Sequence, residues 1–283
     1  MENEGVMTEL RDRFWLWGQD AGCYHRSNHN QWKLPGSSRM TPAEGAFYLG
    51  IPNIMIVRFE NVPAPADFRQ YALPLRPLKR VVWSIIGDSG STENDREPDL
   101  EPVLELAGAF PNVTGAIMDD FFRNDPARPG RYTPEQVAGF RARLHAAPRP
   151  LDLSVVLYAH NLELPVRDHL AVADAITFWT WSARDLKALE RNFRRMEELA
   201  PRPRKLLGLY MWDFGGCAPM PMDAMEFQCR KGLEWLRAGR VDGLVFLANC
   251  IADLDLEPVE YARRLIGEVG EEPLPKTPRK ENR

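Results

Sequence analysis

The run Gly115-Ala116-Ile117-Met118-Asp119-Asp120-Phe121-Phe122 ends an apolar stretch in two adjacent carboxylates. Charge on both at once is costly where water is scarce, because desolvation and mutual repulsion each favour a proton on one of them. A carboxyl that keeps its proton near neutral pH is what a general acid requires. The plainer alternative gives one aspartate to capping the next loop and the other to solvent. A third carboxylate, Asp213, follows Leu209-Tyr210-Met211-Trp212 and precedes Gly215-Gly216, where the backbone can turn sharply. Either Asp213 caps that turn, or it faces Asp119 and Asp120 in a pair suited to glycosidic cleavage. Such pairs stand about 5–5.5 Å apart for retention and about 6.5–9.5 Å for inversion.

Aromatic residues surround these acids in the sequence. In Trp179-Thr180-Trp181 the two indoles are two residues apart, so on a strand they share one face. An indole face accepts the C–H groups of a sugar ring, but tryptophan also fills barrel cores by area alone. Cys23-x-His25-x₃-His29, with Asp20 nearby, has a loose metal-ligand spacing without a second cluster to complete it. His25 reads better as a substrate contact, and His160 has the same standing. Gly87-Asp88-Ser89-Gly90 lacks the Lys-Ser/Thr ending of a phosphate loop. No Gly-x-Ser-x-Gly elbow is present, which argues against serine hydrolase chemistry.

The elements that must position these residues alternate nearly end to end. Eight apolar or β-rich runs read as strands: 14–19, 53–59, 80–86, 115–119, 153–158, 175–181, 206–212 and 243–248. Val81-Val82-Trp83-Ser84-Ile85-Ile86 is apolar on both faces, as a parallel strand covered on both sides must be. Helix starts are marked by Thr41-Pro42-Ala43-Glu44 and Thr133-Pro134-Glu135-Gln136. Ser182 with Asp185, and Asp223 with Glu226, are looser versions of that signal. Leu186, Leu189, Phe193 and Met196 form one stripe of a helix over 183–200. The helix after the second strand is cut short by Pro74 and Pro77, and the helix near 166–172 is weakly marked.

Eight strands alternating with helices in 283 residues predict a single-domain α/β chain, a (β/α)₈ barrel over 1–270 with a polar, loosely held tail over 271–283. An open doubly wound sheet is disfavoured, since no GxGxxG turn follows the first strand. In such barrels the site lies at the C-terminal ends of the strands. The residues expected there, besides the three aspartates, are Asp20, His25, Arg58, Asp88, Tyr158, His160, Trp179, Trp181, Tyr210, Trp212 and Asn249.

The net charge of -4 and the scattered basic residues argue against a nucleic-acid partner. No stretch is long and apolar enough to span a bilayer. The polar N-terminus lacks the apolar core of a signal peptide, so the expected location is the cytoplasm. The four cysteines, Cys23, Cys217, Cys229 and Cys250, form no CxxC pair and read as reduced, mostly buried thiols. Nothing in the sequence specifies an oligomeric state.

The Asp119-Asp120-Phe121-Phe122 run resembles the Asp-Asp-aromatic motif of barrel-type glycoside hydrolases and glycoside-hydrolase-like proteins. The best-known retaining members carry an Asn-Glu pair on strand four and a Glu on strand seven, where this chain has Asp119-Asp120 and Asp213. The resemblance implies a carbohydrate substrate, a sugar or oligosaccharide, and no cofactor is expected. Asp120 is then expected as the general acid, Asp213 as the nucleophile or base, and Asp119 as a supporting carboxylate. Two other readings remain open: a metal-dependent hydrolase or isomerase using Asp20, His25 and the carboxylates of strands four and seven, and a barrel that binds carbohydrate without turning it over.

Overall fold

The computed structural model describes residues 8–87, 94 and 96–274. Eight parallel strands close into a barrel: β1 (Phe14–Gly18), β2 (Asn53–Ile56), β3 (Arg80–Ser84), β4 (Val113–Met118), β5 (Asp152–Tyr158), β6 (Ala175–Trp179), β7 (Arg204–Tyr210) and β8 (Gly243–Leu247). Each pairs with its neighbours in sequence, and β8 closes on β1 with Val245 opposite Trp15 and Leu247 opposite Trp17. The chain is therefore an α/β barrel of the TIM type.

Helices follow the strands: α1 (Pro42–Leu49), α2 (Phe68–Ala72), α3 (Leu100–Ala109), α4 (Pro134–His145), α5 (Arg167–Ala171), α6 (Leu189–Leu199), α7 (Met222–Arg237) and α8 (Glu257–Val269). The capping boxes at Thr41 and Thr133 form as expected, with Glu44 and Gln136 completing them. The two looser signals act differently. Ser182 caps nothing with its side chain, and a 3₁₀ turn over Ala183–Ala188 precedes α6. Asp223 accepts from the N–H of Ala224 and so binds within the first turn, while Pro221 holds the cap position. The stripe of Leu186, Leu189, Phe193 and Met196 is buried. Pro74 lies in a short 3₁₀ turn that ends the helix after β2.

Four strands end two or more residues before their apolar runs do, at Ile56, Ser84, Trp179 and Tyr210, and β1, β4 and β8 end one residue before, at Gly18, Met118 and Leu247. Beyond these points the chain leaves the ladder and builds the rim. The clearest case is Trp212–Asp213, which pairs antiparallel with Ala218–Pro219 in a separate small hairpin.

At the opposite end of the barrel, Thr8–Glu9 pairs antiparallel with Pro273–Leu274. The N–H of Leu10 donates to the carbonyl of Glu272 at 2.8 Å, and Arg237 forks onto the Glu272 carboxylate. Residues 271–274, expected in a loose tail, are thus tied to the barrel, while 275–283 lie outside the described residues. Cys23, Cys229 and Cys250 are buried thiols, and Cys217 is half-buried. Among the described residues no helix is long and apolar enough to cross a membrane.

Candidate active site

At the C-terminal ends of the strands lies a cavity of about 1090 Å³. Trp17 from β1, Trp179 from β6, Tyr210 from β7 and Leu247 from β8 line it. Trp179 meets Trp17 edge-on with ring centroids 5.1 Å apart, and lies 5.1 Å from Tyr210. The Trp179 ring fits because residue 208 on the neighbouring strand is glycine. A Cβ there would stand 2.0 Å from the indole. One wall is aromatic: Tyr24 touches Trp32, Phe59 and Phe214, and Trp181 lies 5.4 Å from Phe214.

The facing wall is polar and begins at the end of β4. Asp119 is buried, and its Oδ1 accepts from the backbone N–H of Asp120 at 2.8 Å. Asp120 is half-buried and held at φ +42°, a left-handed conformation that Asp tolerates better than most residues. Three other cavity residues, Asn28, Glu60 and Asn61, also have positive φ without being glycine. Strained backbone of this kind gathers at functional sites. The loop 121–131 folds back on itself through the Phe122–Gly130 bridge, which brings Arg123, Asn124 and Arg131 to the same wall.

Tyr158, from the end of β5, lines the same cavity as Asp120 and Tyr210. Burial, reinforced by Asp120, Tyr210 and Asp119, holds the Tyr158 hydroxyl well above the usual phenol range. Tyr210 is raised by the same burial and by Asp120 and Asp119. Tyr24 is raised chiefly by burial, with Cys250, Cys23, Tyr210 and Asp119 contributing. All three phenols therefore keep their protons at neutral pH. His160 lies flat against Tyr158, centroids 5.2 Å apart and planes at 7°. Its partial desolvation lowers its pKa, and the nearby Asp120 offsets only part of this.

Seven residues singled out from the sequence thus meet in one cavity: Asp119, Asp120, Tyr158, His160, Trp179, Trp181 and Tyr210. The other described ones do not line it. Asp213 accepts at Oδ1 from the N–H groups of Ala183 (3.1 Å) and Gly216 (3.0 Å), which makes it the cap of the 183–188 turn and of its own Gly-Gly turn. Asp213, expected as the partner of Asp119 and Asp120, is not among the residues that line the cavity. Trp212 is buried with its indole N–H on the Trp32 carbonyl, so it supports the loop bearing Trp32 and is not among the lining residues. Asn249 is fully buried and clamps the end of β1, bonding the N–H and carbonyl of Gln19 and the carbonyl of Met40. Arg58, also buried, is ion-paired with Asp99 and bonded to the Pro63 carbonyl. Asp20 holds Arg26 at 2.6 Å and accepts from Tyr71. His25 sits half-buried in the one-turn helix 23–26, outside the lining. Asp88 falls outside the described residues.

The sequence reading missed Trp17 as a site residue, although its two-residue spacing from Trp15 was a usable signal. Tyr24, Trp32, Phe59 and Phe214 come from rim loops, where no periodicity marks which side chain turns inward. Asp20 and His25 form no ligand cluster. Among the described residues, the group whose potential ligand atoms converge is His145, Asp152 and Asp174, at the N-terminal ends of β5 and β6 and thus at the other end of the barrel. There Asp174 already holds Arg141 and His145.

No protein-family model and no curated protein sequence matches the chain. Solved structures do. A candidate alpha-L-fucosidase from Bacteroides thetaiotaomicron superposes with a TM-score of 0.58 at 11% identity, over 95% of this chain and 100% of that one. Active domain 2 of a thermostable chitinase from Pyrococcus furiosus gives 0.51 at 12% identity over 88% of each chain. A GH18 chitinase from Pseudoalteromonas aurantia gives 0.51 at 11%, over 90% of this chain and 99% of that one. The chain is similar to glycoside-hydrolase barrels in fold, and identities this low speak to the fold alone.

Proposed function

We propose that the protein is a glycoside-hydrolase-like enzyme acting on a sugar or oligosaccharide held in the cavity at the C-terminal face. The observation that carries this reading is the adjacent pair Asp119-Asp120 facing an aromatic wall across one cavity. Two neighbouring carboxylates among buried phenols and indoles do not both ionise cheaply, so one retains a proton. Asp120, the more accessible of the two, donates that proton to the leaving oxygen. Asp119, buried behind it, stays ionised and stabilises positive charge developing at the ring. Trp17, Trp179 and Trp181 offer apolar faces to the sugar, while Asn28, Asn61 and Asn124 offer hydrogen bonds to its hydroxyls. With Asp213 engaged by backbone, attack on the sugar comes from water or from a group of the substrate, as in the glycosidases that lack a protein nucleophile. The similarity in fold to chitinase and fucosidase barrels agrees with this reading.

The test is hydrolysis of a panel of aryl glycosides and oligosaccharides by wild type and Asp120→Asn, with and without chelator. Turnover that survives chelation and falls about 10²- to 10⁴-fold in the variant is expected of a lost general acid. Turnover abolished by chelator would replace this reading with a metal enzyme. Binding without turnover, unchanged by Asp120→Asn, would leave a carbohydrate-binding barrel.

A further inference from the structure

Resting on the reading of the cavity as a sugar site, we infer that Trp17 and Gln19, at the end of β1, are its specificity-determining pair: two hydrogen-bond donors that select a ligand by an acceptor oxygen and refuse an ammonium in its place. The two residues stand two apart, so both side chains leave the strand on the cavity side. Gln19 lies one residue beyond the ladder, yet its direction is fixed. Its N–H donates to the Asn249 Oδ1 at 2.8 Å and its carbonyl accepts from the Asn249 Nδ2 at 2.9 Å. On the other side the Gly18 carbonyl accepts from the Val57 N–H at 2.9 Å. Asn249 thus prolongs the ladder by one residue, with a side chain in place of a strand.

Each of the two side chains is 3% exposed. The Trp179 indole, which meets Trp17 edge-on, spends its N–H on the Thr177 hydroxyl at 3.0 Å. The Trp17 Nε1 and the Gln19 Nε2 have no hydrogen-bond partner among the described residues, and neither is sealed, since both residues line the cavity. Trp83 Nε1 is the contrasting case, unpartnered and fully enclosed. A buried donor without a partner is costly, so one that opens on a cavity is matched to what fills it. The Gln19 amide takes its orientation from Cys250, whose Sγ lies 3.9 Å from Oε1. Burial raises the Cys250 pKa, so the thiol keeps a proton to offer, and an S–H donates only to the oxygen end of the amide. Nε2 is thereby turned to the cavity. An indole N–H and a carboxamide NH₂ donate and never accept. The group they hold must bring a lone pair, as a hydroxyl, ring or carbonyl oxygen does. An ammonium brings none and leaves both donors unpaired. Neither donor titrates near neutral pH, so this preference does not depend on the charge of Asp119, Asp120, Glu60, Arg123 and Arg131, which share the cavity.

The experiment joins ¹⁵N NMR and calorimetry on the full-length protein, with the two N–H signals assigned by their loss in Gln19→Leu and Trp17→Phe. In the free protein both should exchange with deuterated water sooner than the bonded Trp179 indole N–H. The ligands are the methyl glycosides of glucose, galactose, mannose and fucose, then the monodeoxy and monoamino derivatives of whichever binds tightest. Binding should shift both signals. At one position of the sugar the deoxy and amino forms should bind about ten- to a hundred-fold more weakly than the parent. In Gln19→Leu the parent should weaken by a similar factor and those two derivatives by less than about twofold, so the ratio shrinks toward one. A role in packing alone would weaken parent and derivatives equally and keep the ratio, which overturns the inference. So does N–H exchange as slow as that of Trp179, or equal binding of parent and derivatives by wild type. If Gln19→Leu does not fold, the same ratio in Trp17→Phe decides. Glycosides bound without turnover would sink the proposed enzyme and leave the pair intact. If no glycoside binds, the carbohydrate reading falls, and titration with dimethyl sulfoxide, which accepts but cannot donate, decides the pair: N–H signals that move uphold it, and signals that stay put overturn it.

Discussion

Two aspartates with equally suggestive positions in the sequence end up in different surroundings. Asp213 serves two backbone N–H groups, whereas Asp120, at φ +42°, lines the cavity. Substitution separates the two roles. In Asp213→Ala the N–H groups of Ala183 and Gly216 lose their acceptor, and urea unfolding should show a loss of about 1–3 kcal/mol. Asp120→Asn replaces a protonated carboxyl by a neutral amide and keeps a side chain that tolerates positive φ, so its urea midpoint should match that of wild type while turnover collapses. A drop in stability for Asp120→Asn larger than that for Asp213→Ala would contradict both assignments. His160 permits a pH test. Its folded pKa lies below the ordinary histidine value of about 6.5, so the unfolded chain binds the proton more readily. Its contribution to stability is present above pH 6.5 and is lost as pH falls through that value toward the folded pKa. The His160 ring resonance should titrate below 6.5, and His160→Gln should flatten the stability curve in that window.

Single elements carry the site as rigid strand ends, and what each end presents depends on where its ladder stops. That dependence sets how much of the site was legible. Thr41 and Thr133 announce α1 and α4 because capping is decided within four residues. Trp179, Tyr210 and Tyr158 fall on the correct face because period-two alternation holds inside a paired strand. Trp212 and Asp213 continue the apolar run of β7 but lie past its last ladder residue, Tyr210, where alternation no longer says which way a side chain points. Gly208 illustrates the tightness inside the ladder: in Gly208→Ala the new methyl group must displace the Trp179 ring. A cost of about 1–3 kcal/mol is expected from overpacking, with indole fluorescence altered and carbohydrate binding weakened as the floor shifts. Ligand affinity equal to wild type would show that Trp179 is only core. At the other end of β5 and β6, Asp174 ties three elements together. Burial alone would raise its pKa, but Arg141, the Leu153 N–H and His145 outweigh that and lower it. Its stabilisation is therefore present above the unfolded value near 4 and is lost as pH falls through the folded pKa. Asp174→Asn should lower Tm at neutral pH, and the two proteins should converge in strongly acidic solution; a constant gap at every pH would refute the linkage.

At the scale of the whole molecule, the eight-strand alternation was readable because each strand is apolar on both faces and each helix on one. What no local pattern reveals is how the two chain ends join. The last residues, Glu271-Glu272-Pro273-Leu274, look like the start of a polar tail, and only the three-dimensional course shows them beneath the barrel. There Leu274 is buried and pairs opposite Thr8, while Glu272 takes both the Leu10 N–H and the Arg237 guanidinium. The N–H of Arg11 reaches the carbonyl of Gly270 at 2.9 Å, and its guanidinium reaches that of Gly50, so the same corner is anchored to the turn after α1. A barrel closed by pairing its first strand with its eighth gains from any contact that keeps the chain ends together, because fraying at either end opens the β1–β8 seam. Truncation after Gly270 removes the buried Leu274 side chain, the antiparallel pair and the Glu272 contacts, a loss of about 2 kcal/mol from the apolar burial alone. At roughly 2–4 °C per kcal/mol for large single domains, Tm should fall by about 4–8 °C. Truncation after Leu274 keeps every one of these contacts and should melt with the full chain. Equal melting temperatures for the two truncations would show that the terminal pair contributes nothing to closure; a fall confined to the shorter one would assign closure to these four residues.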